Sequence, residues 1–214
     1  RDLMMSDNKG IAKDSLKLSI SQVLTLGINL LNVMLLSRFR TVEEYGTYAQ
    51  MTMVSTIIVA FFSSGFAQCI NYFLANEKST KQISNFIKTY YAIISVSGII
   101  SGVLSVVLIP AFVSYFHNVQ IAHYWFFLLI YPFSKVLNDG ADRFFIIYHK
   151  TNQLMLFKAR YGVTSLIVVV ITILFKWSFQ TYLILFCATE FIFSFTALQM
   201  LSRLALMRRP AKEC

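Results

Sequence analysis

LLSRFRTVEEYGTYAQMTMVSTIIVAFFSSGFAQCINYF, residues 35–73, decides the fold. An apolar segment ends at Leu36, and a short charged connection follows with Arg38, Arg40, Glu43 and Glu44. From Tyr45 the chain then runs uncharged for 32 residues, to Asn76. About 20 apolar residues suffice to cross a bilayer as a helix. The stretch therefore reads as a turn between two membrane spans, and the rest of the chain repeats that plan.

Composition supports the same class. Hydrophobic residues make up 57% of the chain and charged residues 14%, with a mean hydropathy of +0.62. Soluble domains carry about 25% charged residues. The apolar runs are continuous rather than alternating with period two, which argues against a β-barrel. The fold class expected is all-α: a polytopic membrane protein. The first 17 residues are polar and bear both signs of charge, which does not fit a cleavable signal peptide. A net charge of +9 fits basic residues gathered at helix ends better than a nucleic-acid surface. Cys69, Cys187 and Cys214 show no CxxC spacing, so neither a disulfide framework nor a metal site is expected.

Six spans are expected, at about 16–36, 44–73, 86–115, 121–148, 154–175 and 180–202. They form one lobe over residues 18–203, between an amino-terminal tail (1–17) and a basic carboxyl-terminal tail (204–214). Asp14-Ser15 is a candidate cap for the first helix. Pro110 and Phe116-His117-Asn118 divide the uncharged run 89–134 into two spans. His117 and His123 read as interfacial, and Trp177 as an aromatic belt residue.

Polar residues inside these spans are the candidates for function, because hydrocarbon does not satisfy them. Gln22, Thr25, Asn29 and Asn32 are spaced to share one face of the first helix. Two readings are open for them: hydrogen bonds between helices, or the wall of an aqueous cavity. Ser64, Gln68 and Asn71 share a face of the second helix. In the fourth, Pro132 predicts a kink. Lys135, Asp139 and Arg143 follow at i,i+4 steps, with Asp142 adjacent. Either they face a cavity, or the helix ends near Asn138 and residues 139–150 lie outside the membrane. Glu190 sits near the middle of the sixth helix, with Ser194 and Ala197 on its face.

Loop charges give an orientation. The two tails and the connections after the second and fourth helices hold 14 of the 19 basic residues, against Arg38, Arg40 and Lys176 on the other side. The positive-inside rule then places both termini in the cytoplasm.

Leu36-Ser37-Arg38 followed by Glu43-Glu44-Tyr45-Gly46-Thr47-Tyr48-Ala49 resembles the junction of the first two helices in polysaccharide (O-antigen, Wzx-type) flippases. These belong to the multidrug/oligosaccharidyl-lipid/polysaccharide exporter superfamily. Ser64-Gly65-Phe66, Phe73-Leu74-Ala75 and the segment 144–158 are similar to later parts of that pattern. Where many members carry Arg near the end of the second helix, this chain has Asn71. The resemblance implies two six-helix lobes around a central cavity, of which this chain matches the amino-terminal one. A carboxyl-terminal lobe or a second copy would complete it. It also implies a transporter rather than an enzyme, in the bacterial inner membrane. The cargo implied is undecaprenyl-pyrophosphate-linked oligosaccharide, with membrane lipid and polysaccharide assembly proteins as partners and neither cofactor nor nucleic acid. On that reading Gln22, Asn29, Asn32, Gln68, Asn71, Lys135, Asp139 and Arg143 line the cavity, and Asp139 or Glu190 couples to an ion. Two alternatives are a small-molecule or multidrug exporter of the same superfamily and a membrane-embedded glycan polymerase or acyltransferase. The external loops are short and show no nucleophile–base constellation, which weighs against the enzyme.

Overall fold

The computed structural model describes residues 2–76, 80–148 and 150–207. Every regular element among the described residues is a helix. In chain order these are α1 (Asp2–Phe39), α2 (Val42–Ser63), α3 (Phe66–Asn76), α4 (Thr80–Val107) and α5 (Ile109–Phe116). They continue with α6 (Gln120–His123), α7 (Trp125–Asn138), α8 (Ala141–Ile147), α9 (Thr151–Leu174) and α10 (Phe179–Met207). Five segments are long and apolar enough to cross a membrane: Ser19–Phe39, Val42–Ile70, Asn85–Val107, Thr151–Leu174 and Phe179–Met200. The expected fourth span, 121–148, has no uninterrupted counterpart, because it is divided among α6, α7 and α8.

The opening stretch folds as a tight helix–helix turn. Thr41 is extended and caps α2: its hydroxyl accepts from the Glu44 amide at 3.1 Å, and the Glu44 carboxylate accepts from the Thr41 amide at 3.3 Å. This capping box satisfies donors that a helix start leaves without partners. Arg40 spans from the same turn to the α9–α10 connection, donating to the Trp177 carbonyl at 2.8 Å.

Helix ends depart from expectation in several places besides the interruptions at Leu108 and Tyr124. First, α1 starts at Asp2, so Asp14-Ser15 lies within the helix rather than capping it. Residues 2–17 hold helix formers such as Leu, Met, Ala and Lys and no proline, and the single Gly10, at a cost of about 1 kcal/mol, does not stop the helix. Second, the predicted helix 44–73 breaks at Ser64-Gly65, where Gly65 has φ +91°. Third, the predicted helix 121–148 breaks at Asp139-Gly140, where Gly140 has φ +79°, so α7 ends at Asn138, as one of the two readings had it, and helix resumes in α8. Positive φ is open to glycine at little steric cost and ends a right-handed helix. Pro110 has a smaller effect: it stands at the start of α5 just after Leu108, and the ladder resumes with the Phe112 amide bonded to the Leu108 carbonyl at 3.0 Å.

α7 is the centre of the bundle, packing against α2, α4 and α10, while α1 packs on α9. The α4–α7 contact is close because α4 presents glycines. A Cβ on Gly102 would stand 2.5 Å from the Leu129 carbonyl oxygen, and one on Gly98 3.1 Å from the Phe133 ring. Small residues four apart let two helix backbones approach in this way. Two apolar clusters fill the interior. One gathers Met51, Phe127, Leu128, Val169, Tyr182 and Leu183 near the ends of the bundle joined by the 39–42 and 175–178 turns. The other gathers Ile70, Ile87, Tyr90, Ile94, Phe144 and Phe145 toward the opposite end. Along α7, residues of the first cluster precede Lys135 and Val136 of the second follows it. Along α10, Cys187 of the first precedes Glu190. The charged pair thus falls where the two cores meet. Large apolar residues on the outer faces are exposed, among them Val23, Leu26 and Leu30 of α1.

Candidate functional site

Three side chains from three helices converge at that junction. Lys135 on α7 sits 2.9 Å from Oε1 of Glu190 on α10. Tyr161 on α9 donates its hydroxyl hydrogen to the same carboxylate oxygen, and Lys135 Nζ lies 3.4 Å from the Tyr161 hydroxyl. Glu190 is fully buried, and the Lys135 side chain is 31% exposed. The ammonium also lies 5.2 Å from the Tyr131 ring centre and 5.4 Å from that of Tyr161, within cation–π range. An ion in a low-dielectric interior persists only when paired and hydrogen-bonded, and here one carboxylate oxygen takes both partners. Its other oxygen, Oε2, has no donor among the described residues. One turn along α10, Ser194 ties the backbones together: its hydroxyl lies 2.8 Å from the Glu190 carbonyl and 2.9 Å from that of Ser134. Asn138 donates to that hydroxyl at 2.8 Å.

Two cavities meet at this triad. Lys135, Tyr161, Glu190 and Thr25 line both. One, of about 380 Å³, extends to the α7–α8 turn and adds Asn138, Asp139, Asp142, Arg143 and Lys158. The other, of about 370 Å³, extends toward the α1–α2 turn and adds Asn29, Asn32, Tyr48, Thr52, Tyr131 and Tyr182. The first has three cationic and three acidic side chains in its wall, counting the triad: Lys135, Arg143 and Lys158 against Asp139, Asp142 and Glu190. Its charges balance rather than summing to a cationic surface. Lys158 pairs with Asp142, and Arg143 is exposed.

The glycine turn builds the first cavity. Gly140 takes the left-handed conformation, and the Tyr90 hydroxyl donates to the Asp139 carbonyl at 2.7 Å. A Cβ on Gly140 would collide with that same hydroxyl and with Ile70 Cδ1. The turn ends the i,i+4 helical ladder of Lys135, Asp139 and Arg143, yet brings all three to one wall. Lys135 pairs with Glu190 rather than with Asp139.

The other sequence candidates divide. Asn29 and Asn32 line the second cavity, and Asn32 Nδ2 donates to Ser165 Oγ on α9 at 3.0 Å. Asn32 thus makes a helix–helix hydrogen bond and also borders a cavity, so the two readings of its face coexist. Thr25 bonds back to the Ser21 carbonyl at 2.8 Å and borders both cavities. Gln22 and Gln68 are exposed and border neither of these two cavities. Gln68 stands on α3, beyond the break at Gly65, and Ser64 is not on its helix. The side chain of Asn71 lies outside the described ones.

Sequence reasoning missed the tyrosines. Tyr131 precedes Lys135 by one helical turn, a spacing that places an aromatic ring beside an ammonium, and that local signal was available. The Tyr161 and Tyr48 contributions depend on packing between distant helices. Among the described residues no group of three His, Cys, Asp or Glu side chains is placed to hold a metal ion. Comparison with protein-family models, curated proteins and solved structures finds no match.

Proposed function

We propose that this chain is one lobe of a membrane transporter that moves a lipid-linked oligosaccharide across the bacterial inner membrane, both termini lying in the cytoplasm. The observation that carries the reading is the pair of polar cavities joined at Lys135–Glu190–Tyr161 inside a bundle of membrane-length helices. A pyrophosphate and sugars do not cross about 30 Å of hydrocarbon unaided. A polar passage replaces their water while the lipid tail stays in the bilayer. Buried charges in membrane helices mark such passages. The resemblance of residues 36–49 to the flippase helix junction points to the same cargo. A facing lobe, either a further six-helix unit or a second copy, completes the passage, and the two rock against each other. Assembly proteins of the surface polysaccharide are the expected neighbours. No enzyme activity is assigned.

The test is genetic and chemical. Loss of the protein should abolish surface glycan and raise the lipid-linked precursor. The full protein should restore export, and Asp139→Ala or Arg143→Ala should restore it poorly at equal membrane abundance. Normal export without the protein, or in both variants, overturns the reading.

A second reading has one observation in its favour. The aromatic lining around Glu190 suits an organic cation, as expected of a multidrug exporter. It predicts drug sensitivity on deletion with surface glycan unchanged.

A further inference from the structure

We propose that α3 is a strap hinged at Gly65, and that its Ile70 keys the α7–α8 turn and so sets whether Asp139 and Arg143 face the first cavity. The inference goes beyond the transport reading and does not depend on what the cavity carries. The joint comes first. Gly65 has φ +91°, and nothing stands within 4 Å of where its Cβ would be. Crowding therefore does not call for a glycine there; the left-handed backbone does. Glycine also takes a helical φ at little steric cost, so the same residue serves a bent and a continuous helix. The continuous form is the one hydropathy describes, since Val42–Ile70 is apolar enough for a single span of 29 residues. Hinges are residues of this kind, which absorb a large change in φ and ψ.

The key is Ile70. It is fully buried, whereas Gln68, Cys69 and Tyr72 of the same helix are exposed, so α3 is held along one edge. The helix packs on α8, and Phe73 stacks on Phe86 of α4 with ring centres 4.2 Å apart. Ile70 Cδ1 lies 2.5 Å from the point a Cβ on Gly140 would occupy. The Tyr90 hydroxyl borders the same notch and donates to the Asp139 carbonyl at 2.7 Å. Gly140 is thus pinned in its left-handed conformation by side chains of α3 and α4. No described residue of α3 lines the first cavity, so its hold on that cavity runs through the turn.

Moving the strap rearranges charge. With Ile70 seated, the turn brings Asp139 and Arg143 to the cavity wall, and Lys135 pairs with Glu190. When α3 swings into line with α2, Ile70 leaves the notch and Gly140 is free to take a helical φ. α7 and α8 then join, and Asp139 comes one helical turn from Lys135, where i,i+4 charges meet. There it competes with Glu190 for the ammonium. The Lys158–Asp142 pair fastens α8 to α9 in the bent form.

Pulsed electron paramagnetic resonance on the full protein in nanodiscs tests the proposal. With Cys187→Ala and Cys214→Ala in place, Cys69, exposed on α3, takes one nitroxide. Ile184→Cys, at an exposed position of α10, takes the other. The parent should show the bent distance as its main maximum and a second, minor one. Gly65→Ala, which disfavours positive φ, should raise the second form over the first about tenfold, about 1.4 kcal/mol. Gly65→Asn, which tolerates that φ, should keep the parent's distribution. Ile70→Ala removes the key and should populate the second distance with the joint unaltered. A further pair, Arg143→Cys with Ile184→Cys in Cys69→Ser protein, reports α8, and Gly65→Ala should shift it in step. One maximum in the parent, Gly65→Ala and Ile70→Ala alike overturns the proposal. So does an Arg143–Ile184 distance that stays fixed while the Cys69–Ile184 distance moves, or a shift with Gly65→Asn as large as with Gly65→Ala. A single fixed distance with glycan export dependent on the protein removes this inference alone. Two distances with export unchanged on deletion remove the transport reading alone.

Discussion

Cutting the Lys135–Glu190 pair from either side should have unequal effects. Lys135→Met leaves Glu190, which is fully buried, with Tyr161 as its remaining donor. Removing one partner of a buried pair costs about 3–5 kcal/mol. Glu190→Gln leaves Lys135, whose side chain is 31% exposed to the cavities and rests on two tyrosine rings. That ammonium can hydrate, and the amide oxygen of Gln can still accept from Tyr161, so a cost of about 1.5–2 kcal/mol is expected, the low end for one hydrogen bond to a charged group. For a chain of this size about 1 kcal/mol moves the melting temperature by about 2–4 °C. Lys135→Met should then fall by roughly 10 °C and Glu190→Gln by roughly 4 °C. The double variant should lose less than the sum, with a coupling of about 1–3 kcal/mol. Thermal unfolding in one detergent, read by circular dichroism and by size-exclusion recovery, gives all four values. Equal losses in the single variants, or additivity within about 0.5 kcal/mol, would refute the claim that this pair holds α7 to α10.

Other expectations follow from local geometry. Gly140→Ala combines a left-handed backbone, unfavourable by about 1–2 kcal/mol for a residue with a Cβ, with a collision against Tyr90. It should lower the melting temperature and weaken export, whereas Gly46→Ala, with nothing within 4 Å, should do neither. Thr41→Ala removes the capping box and should cost about 1 kcal/mol in the same melt, with Thr41→Ser largely restoring it. If Asp139 or Glu190 couples transport to protons, collapse of the proton gradient should stop glycan export in cells with normal energy charge. Export unchanged by that treatment removes the coupling role.

Much of the bundle was legible in the chain. The charged connection at 38–44 is a turn because Thr41 and Glu44 cap α2, and the long uncharged runs are helices because hydrocarbon demands internally bonded backbone. The placement of Glu190, Ser194 and Ala197 on one face held, since all three are buried. What escaped was the glycine break at Gly65, whereas the end of a helix near Asn138, before Gly140, was one of the two readings left open. Gly65 sits in a segment whose composition reads as continuous helix, and a positive φ leaves no trace in hydropathy. The partner of Lys135 escaped for a related reason. Local spacing sets Asp139 one turn from Lys135, but the helix ends at Asn138 and the ammonium turns to a carboxylate on α10, which no spacing rule within one helix reveals. Spacing rules describe one helix; the site is made where α7, α9 and α10 meet.

The most direct test of the central claim measures translocation itself. Inverted inner-membrane vesicles from cells with and without the protein are loaded on their outer face with a lipid-linked oligosaccharide, and its entry into the protected lumenal leaflet is timed. Entry that requires the protein and slows with Asp139→Ala or Arg143→Ala is the predicted result. Entry at the same rate in vesicles lacking the protein would contradict the account.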